Sequence, residues 1–237
     1  MTIDLKKYRR DCLLGTLGAL MMLVGDLCLS VVPASIGDSG LFAREAYLNG
    51  SFGAWRLSLL LPTGLIGMSL GFFTVRAFYC QIGQQYRRTR AAILAGGVVY
   101  IASAGVLHFF IGSLADWIGT LAPLIGREQT LALVGVQYGR VMPAMFISYA
   151  GMLLMIIGSL YALITNKTCL PRRMFVFHMI VWQLVLVIIP DIRQALGAAP
   201  STWDFVISQG SGNLSLAVWM LANAIWAGRQ MRVTEVK

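Results

Sequence analysis

The sequence predicts an all-α membrane protein: a six-helix transmembrane bundle forming one domain over residues 1–237, with the N-terminus and C-terminus both cytoplasmic. Three observations predict it. The chain is 57% hydrophobic and only 12% charged, about half the charged share of an ordinary soluble domain, so too few charges exist to cover a water-facing surface. Six apolar windows are long enough for the ~20 residues that carry a helix across ~30 Å of hydrocarbon. Basic residues then alternate from one side of those windows to the other.

The windows run over 12–32, 55–75, 91–111, 141–164, 174–190 and 203–227. Backbone groups cannot go unpaired in lipid, so runs of this length must be helical. The first follows Lys6, Lys7, Arg9 and Arg10, an order that a secretory leader also has. Asp26 interrupts its apolar region, however, and the run is longer than a leader's core, which favours a retained span. With the N-terminus inside, the inner connections hold Arg76, Arg87, Arg88 and Arg90, then Lys167, Arg172 and Arg173, and finally Arg229, Arg232 and Lys237. Of the 19 Lys and Arg, only Arg44, Arg56, Arg127, Arg140 and Arg193 fall outside. The fifth window is short and is expected to extend at its ends.

Both long connections, Pro33 to Ala54 and Gly112 to Arg140, lie on the outer side. Within the second, Arg127 to Tyr138 reads as a short helix on the membrane surface, with Leu131, Val134 and Tyr138 on one side. The net charge of +9 comes from clusters at helix ends rather than from an aromatic-interleaved groove, so no nucleic-acid partner is implied. Cys12, Cys28, Cys80 and Cys169 form no CxxC pair, and three of them fall at or beyond cytoplasmic helix ends, where thiols stay reduced.

An ionisable group inside a span costs ~2.5–3.5 kcal/mol at the centre on insertion scales. Asp26 lies ~6 Å outward of the middle of the first span, and His108 ~9 Å outward in the third. Asp191 and Arg193 close the fifth span on the same side, Asp204 opens the sixth, and Arg56 opens the second. The outer acids Asp38, Glu45, Asp116, Glu128, Asp191 and Asp204 nearly balance the five outer arginines. Two readings follow. The bland one is interfacial snorkelling and structural pairing. The sharper one is an outward-facing polar pocket of Asp26, Arg56, His108, Asp191, Arg193 and Asp204 that binds a small polar or amphipathic ligand, either a small molecule or a lipid.

Small residues mark candidate helix contacts. Ser208, Ser211, Gly212, Ser215, Ala222 and Asn223 recur near helical spacing in the sixth span, with Asn213 beside them. Gly15, Gly18, Met22 and Gly25 form a stripe in the first span that is expected to seat against the sixth. His178 and Trp182 share a face of the fifth, and Gln183 is expected to hydrogen-bond across to a neighbour.

Catalytic templates give little. Gly37-Asp38-Ser39-Gly40 lacks the strand-turn-helix setting of a nucleophile elbow. Gly210-Ser211-Gly212 is followed by no histidine, so it supplies no serine–histidine pair of the rhomboid-protease kind. His108 and His178 are too few for a three-histidine zinc site, and the spacing of Asp26, His108, Asp191 and Asp204 diagnoses no metal. No cofactor motif is present.

Several segments carry a resemblance: Gly25-Asp26-Leu27 with Asp38-Ser39-Gly40, Trp55-Arg56, and His108-Phe109-Phe110 through Ala115-Asp116-Trp117. Pro171-Arg172-Arg173-Met174, Pro190-Asp191-Ile192-Arg193 and Trp203-Asp204-Phe205 complete it. Over nearly its full length the chain resembles a family of uncharacterised bacterial multi-pass membrane proteins. That resemblance implies a bacterial inner-membrane setting and no activity. Three roles stay open: a ligand-binding protein or transporter, an intramembrane lipid-active enzyme with a His/Asp site, and a non-catalytic scaffold.

Overall fold

A computed structural model describes residues 3–35, 38, 42–53, 55–199 and 201–235. The Gly37–Gly40 motif, apart from Asp38, and Lys237 lie outside them. The described residues form helices α1 (Leu5–Ser30), α2 (Glu45–Leu48), α3 (Trp55–Cys80), α4 (Arg87–Ile125), α5 (Arg127–Ile164), α6 (Met179–Ala195) and α7 (Thr202–Glu235), with a 3-10 turn over Arg172–Phe177 before α6. Among the described residues five segments are long and apolar enough to cross a membrane: α1, α3, α4, α5 and the stretch Arg172–Ala195. α7 has the length, but the serines and asparagines along it keep it out of that set.

The helices pack as a row in the order α5, α4, α3, α1, α7, α6. α1 sits in the middle, and its start is fixed by Asp4, whose carboxylate accepts from the Lys7 N–H at 3.0 Å. α7 runs antiparallel beside it from end to end. At one end the Thr202 hydroxyl donates to the Val32 carbonyl at 3.0 Å, and at the other the Tyr8 hydroxyl donates to Asn223 Oδ1 at 2.7 Å. The end that carries both chain termini also gathers the basic clusters. There the α3–α4 turn and the α5–α6 connection are strapped together by an antiparallel bridge between Ile82 and Thr168, and the Cys169 N–H donates to the Gln81 carbonyl at 2.9 Å.

Close backbone approach sets the packing at two crossings. A Cβ on Gly67 of α3 would lie 2.9 Å from the Gly18 carbonyl of α1, and one on Gly96 of α4 would lie 2.5 Å from the Gly151 carbonyl of α5. The glycine stripe of α1 therefore seats mainly against α3, not α7 as expected; Gly15 alone meets both, near Thr74 and Met220. A stripe announces a close neighbour without naming it.

The Gly112–Arg140 connection is not a loop with a short surface helix. α4 continues through it to Ile125, and α5 starts at Arg127, with only Gly126 between, at φ 85°. At 39 and 38 residues the two helices are each ~57 Å long, nearly twice the hydrocarbon thickness. Leu131, Val134 and Tyr138 do share a face, and it packs onto a far-end core with Tyr47, Phe52, Leu114 and Ile118. A second core at the termini end contains Tyr8, Cys12, Met22, Phe78, Met155 and Trp219. Between the two cores lies the polar group described next.

Candidate functional site

Asp26 projects from α1 between Met22, in the termini-end core, and Cys28, in the far-end core. Two other helices meet its carboxylate. Asn213 Nδ2 of α7 donates to Oδ2 at 2.7 Å, and His108 Nε2 of α4 lies 3.6 Å from Oδ1. The first is a strong hydrogen bond to a charged acceptor. The second is in ion-pair range but longer than a hydrogen bond. Asp26 is 13% exposed and His108 24%, so the group is mostly enclosed.

The imidazole has room because its neighbours have no side chains. A Cβ on Gly25 of α1 would lie 3.7 Å from His108 Cε1, and one on Gly64 of α3 would lie 3.7 Å from His108 Cβ. The second ring nitrogen, Nδ1, lies beside Gly64 and makes no described contact with another polar group. Gly64 and His108 both line a cleft of about 280 Å³ between α3 and α4, whose remaining walls are Leu60, Leu61, Pro62, Leu65, Gly105 and Phe109. Pro62 lacks an N–H, which leaves the Ser58 carbonyl of α3 without its helical donor at this point. Leu65 and Phe109 are exposed on the apolar outer surface of the row, so the cleft opens sideways. The result is an apolar slot with one imidazole in its lining, backed by a carboxylate.

The other expected members of the pocket stand elsewhere. Asp204 is nine residues from Asn213 along α7, ~13 Å of helix, and so belongs to a separate level. There Asp204 and Ser201 form a reciprocal cap. The Ser201 N–H donates to Asp204 Oδ2 at 2.9 Å, and the Asp204 N–H donates to Ser201 Oγ at 3.3 Å. Arg193 Nε closes the arrangement on Asp204 Oδ1 at 2.9 Å. Asp191 is exposed on α6 with no described partner. Arg56 lies one turn outward of Leu60; its Nη1 donates to the Cys28 carbonyl at 3.0 Å, and its guanidinium stands 5.1 Å from the Trp55 ring. Of the six residues, then, the fold brings together Asp26 with His108, and Arg193 with Asp204; Arg56 sits above the first pair, and Asp191 joins neither.

Sequence reasoning missed Asn213 as the carboxylate's partner and Asp11 as a buried acid. Asp11 is held at the termini end by Arg76 Nε at 3.0 Å and Arg10 Nη2 at 3.4 Å. The interruption of the run Arg9-Arg10-Asp11-Cys12 by an acid was the available signal. Gln183 bonds across helices as expected. Its Nε2 donates to Ser211 Oγ at 2.8 Å, and its Oε1 accepts from Ser215 Oγ at 3.0 Å. His178 stands at the start of α6, within the stretch Arg172–Ala195, and caps the helix: it accepts on Nδ1 from the Ile180 N–H at 3.3 Å, with Nε2 2.9 Å from Ser159 Oγ. Among the described residues no group of three or more His, Cys, Asp or Glu is placed to hold a metal ion.

Residues 1–228 match the model of DUF6796, a family of unknown function. No curated protein and no solved structure matches the chain.

Proposed function

The chain belongs to that family of unknown function, and from this premise and the site geometry we propose an integral membrane protein that binds an amphipathic, lipid-like ligand in the cleft between α3 and α4. The observation that carries the reading is His108 in the lining of an apolar slot, its Nδ1 without a polar partner among the described residues and its Nε2 facing Asp26, which Asn213 also holds. An apolar slot with one polar group at its base favours a molecule built the same way. The ligand's hydrocarbon part lies against Leu60, Leu65 and Phe109, and a polar linkage or hydroxyl reaches His108. The chain crosses the membrane six times, because α7 follows α1 from Thr202 to Asn223 and so spans wherever α1 does. Both termini are cytoplasmic by the positive-inside rule, since the basic clusters share their end. A bacterial inner membrane is the setting implied by the sequence resemblance.

The test is to purify the full chain and identify co-purifying amphiphiles by native mass spectrometry. Gly105→Leu is the informative variant. A Cβ at Gly105 meets only Met68, at an ordinary 3.7 Å, so the larger side chain fills the slot without a backbone clash. The variant is expected to lose the bound amphiphile and keep its melting temperature. Equal occupancy in the two proteins refutes the reading.

The Asp26–His108 pairing favours one second reading, an intramembrane hydrolase. There Asp26 orients the imidazole and Nδ1 acts as general base toward a water molecule. Ester cleavage in proteoliposomes, lost in His108→Gln, supports it; binding without turnover removes it. Flux of the bound amphiphile between leaflets, lost in Asp26→Asn, separates transport from retention.

A further inference from the structure

Arg44 and Arg56 reach the far end of the row from the connection before α2 and from the first turn of α3. Both act electrostatically on the phenol of Tyr47. That phenol is buried, with its hydroxyl donating to the Leu29 carbonyl at 2.8 Å. Geometry brings both residues to it: the Tyr47 N–H donates to the Arg44 carbonyl at 3.1 Å, and Arg56 Nη1 donates to the Cys28 carbonyl, next in the chain to the Leu29 carbonyl that the phenol holds. Neither arginine has a carboxylate at ion-pair distance among the described residues. Asp38, an acid that acts on Arg44 electrostatically, has both oxygens engaged: Oδ2 accepts from the Ser35 N–H at 2.9 Å and Oδ1 from the Glu45 N–H at 2.9 Å.

The arginine stems are nonetheless fixed. Arg44 stacks 3.0 Å above the Phe205 ring centroid, Arg56 is tied to Cys28, and the Nε of each is shut away from solvent without an acceptor. The terminal nitrogens of Arg44 and Nη2 of Arg56 have no described partner, and both residues are partly exposed. Two held guanidinium groups, with the terminal nitrogens of Arg44 and Nη2 of Arg56 unpaired among the described residues and an exposed Trp55 beside them, match the oxygens of a tetrahedral anion.

We propose that Arg44 and Arg56 form a phosphate site at the outer rim, and that it receives the phosphate of the amphiphile whose chains enter the α3–α4 cleft. Arg56 is one turn outward of Leu60, a wall of that cleft, so headgroup and chain are held in register on one helix face. The lipid assignment rests on the cleft reading; the phosphate site itself does not.

The experiment measures affinities of the detergent-purified full chain for three probes: a phosphatidylglycerol, the diacylglycerol with the same chains, and inorganic phosphate. Phosphatidylglycerol is expected to bind about tenfold or more tighter than diacylglycerol, the scale of one or two charge-assisted contacts. Arg44→Gln/Arg56→Gln is expected to erase that preference while leaving diacylglycerol binding unchanged, which also shows that the variant is folded. Arg44→Lys/Arg56→Lys is expected to restore part of it. A double glutamine variant that still distinguishes the two lipids, or wild-type protein that neither distinguishes them nor binds inorganic phosphate, overturns the proposal. Arginine-dependent binding of inorganic phosphate with no lipid preference supports the anion site and overturns its lipid assignment. Failure of both lipids to bind refutes the cleft, and the inorganic phosphate arm still decides the arginines.

Discussion

Replacing Asp26 by Asn separates a carboxylate kept for binding from one kept for packing. The ionised group costs ~2.5–3.5 kcal/mol at the bilayer centre, and somewhat less at ~6 Å from it. Against this stands the 2.7 Å bond from Asn213 Nδ2. Such a bond contributes ~1.5–3 kcal/mol to a charged acceptor and ~0.5–1.5 to a neutral one. The amide of the variant keeps an acceptor oxygen and loses only the difference, ~1–1.5 kcal/mol. The His108 contact at 3.6 Å adds little at pH 8, where an ordinary imidazole is neutral. Asp26→Asn is therefore expected to leave stability unchanged or raise it by up to ~2 kcal/mol. Asn213→Ala removes the donor and keeps the buried charge, and is expected to cost ~1.5–3 kcal/mol. Both numbers come from reversible unfolding in mixed micelles at pH 8, with amphiphile binding measured alongside. If Asp26→Asn destabilises as much as Asn213→Ala, the carboxylate is a packing element and the functional argument for this site fails.

Three other expectations concern parts of the fold away from Asp26. Gly96→Ala forces a Cβ to within 2.5 Å of the Gly151 carbonyl, a backbone atom that cannot rotate away. The α4–α5 pair should separate at a cost of ~1–3 kcal/mol or more, seen as a lower midpoint in denaturant titration. Asp204→Ala removes the cap on α7 and the Arg193 partner together and is expected to cost ~1–2 kcal/mol. Arg193→Ala should cost under ~1 kcal/mol, because the arginine is about half exposed; comparing the two melts checks the order. Burial pushes the Cys169 thiol up from 9.0 to about 12, so its thiolate fraction at pH 8 is about a thousandfold below that of an unburied thiol. Maleimide labelling, followed by mass spectrometry, is expected to be slower by that order and to rise about tenfold per pH unit between 7 and 9.

The all-helical class and the long apolar helices, five of them able to cross a membrane, were legible because hydropathy is a sum over many residues. The Asp26–His108 encounter was legible for a different reason: both are costly in lipid and both were placed in the outer half of their spans. The extension of α4 and α5 was not. Asp116, Arg127, Glu128 and Arg140 made 112–140 look like a loop, yet charge opposes burial in lipid rather than helix formation, and Gly126 is the single residue there whose φ of 85° breaks the helix. Asp204 was placed in the pocket by depth alone. The pattern Ser201-x-x-Asp204 was the better guide, since it is the letter sequence of a reciprocal N-terminal cap. Partner choice between helices was illegible in principle: a glycine stripe sets how near a neighbour comes, while complementarity decides which one.

α6 offers the last test, because it sits at the edge of the row against α7 alone for most of its length. Three polar attachments hold it, one of them the Arg193–Asp204 pair near its end. His178 caps its start and meets Ser159 of α5, and Gln183 bridges Ser211 and Ser215. Gln183→Leu strands no donor, because Ser211 and Ser215 also bond to carbonyls of their own helix, Ser208 and Ser211 respectively. The loss should be near ~0.6 kcal/mol and at most ~1.7, the range for interhelical bonds in lipid. His178→Ala removes the cap, the bond to Ser159 and the ring packed 4.8 Å from Trp219, and should cost several times more. If α6 is held as these contacts say, hydrogen exchange in Gln183→Leu rises along α6 while α1 and α7 stay protected. Uniform loss of protection across α1, α6 and α7 shows instead that α6 is integral to the core, and that the row closes more tightly than its contacts indicate.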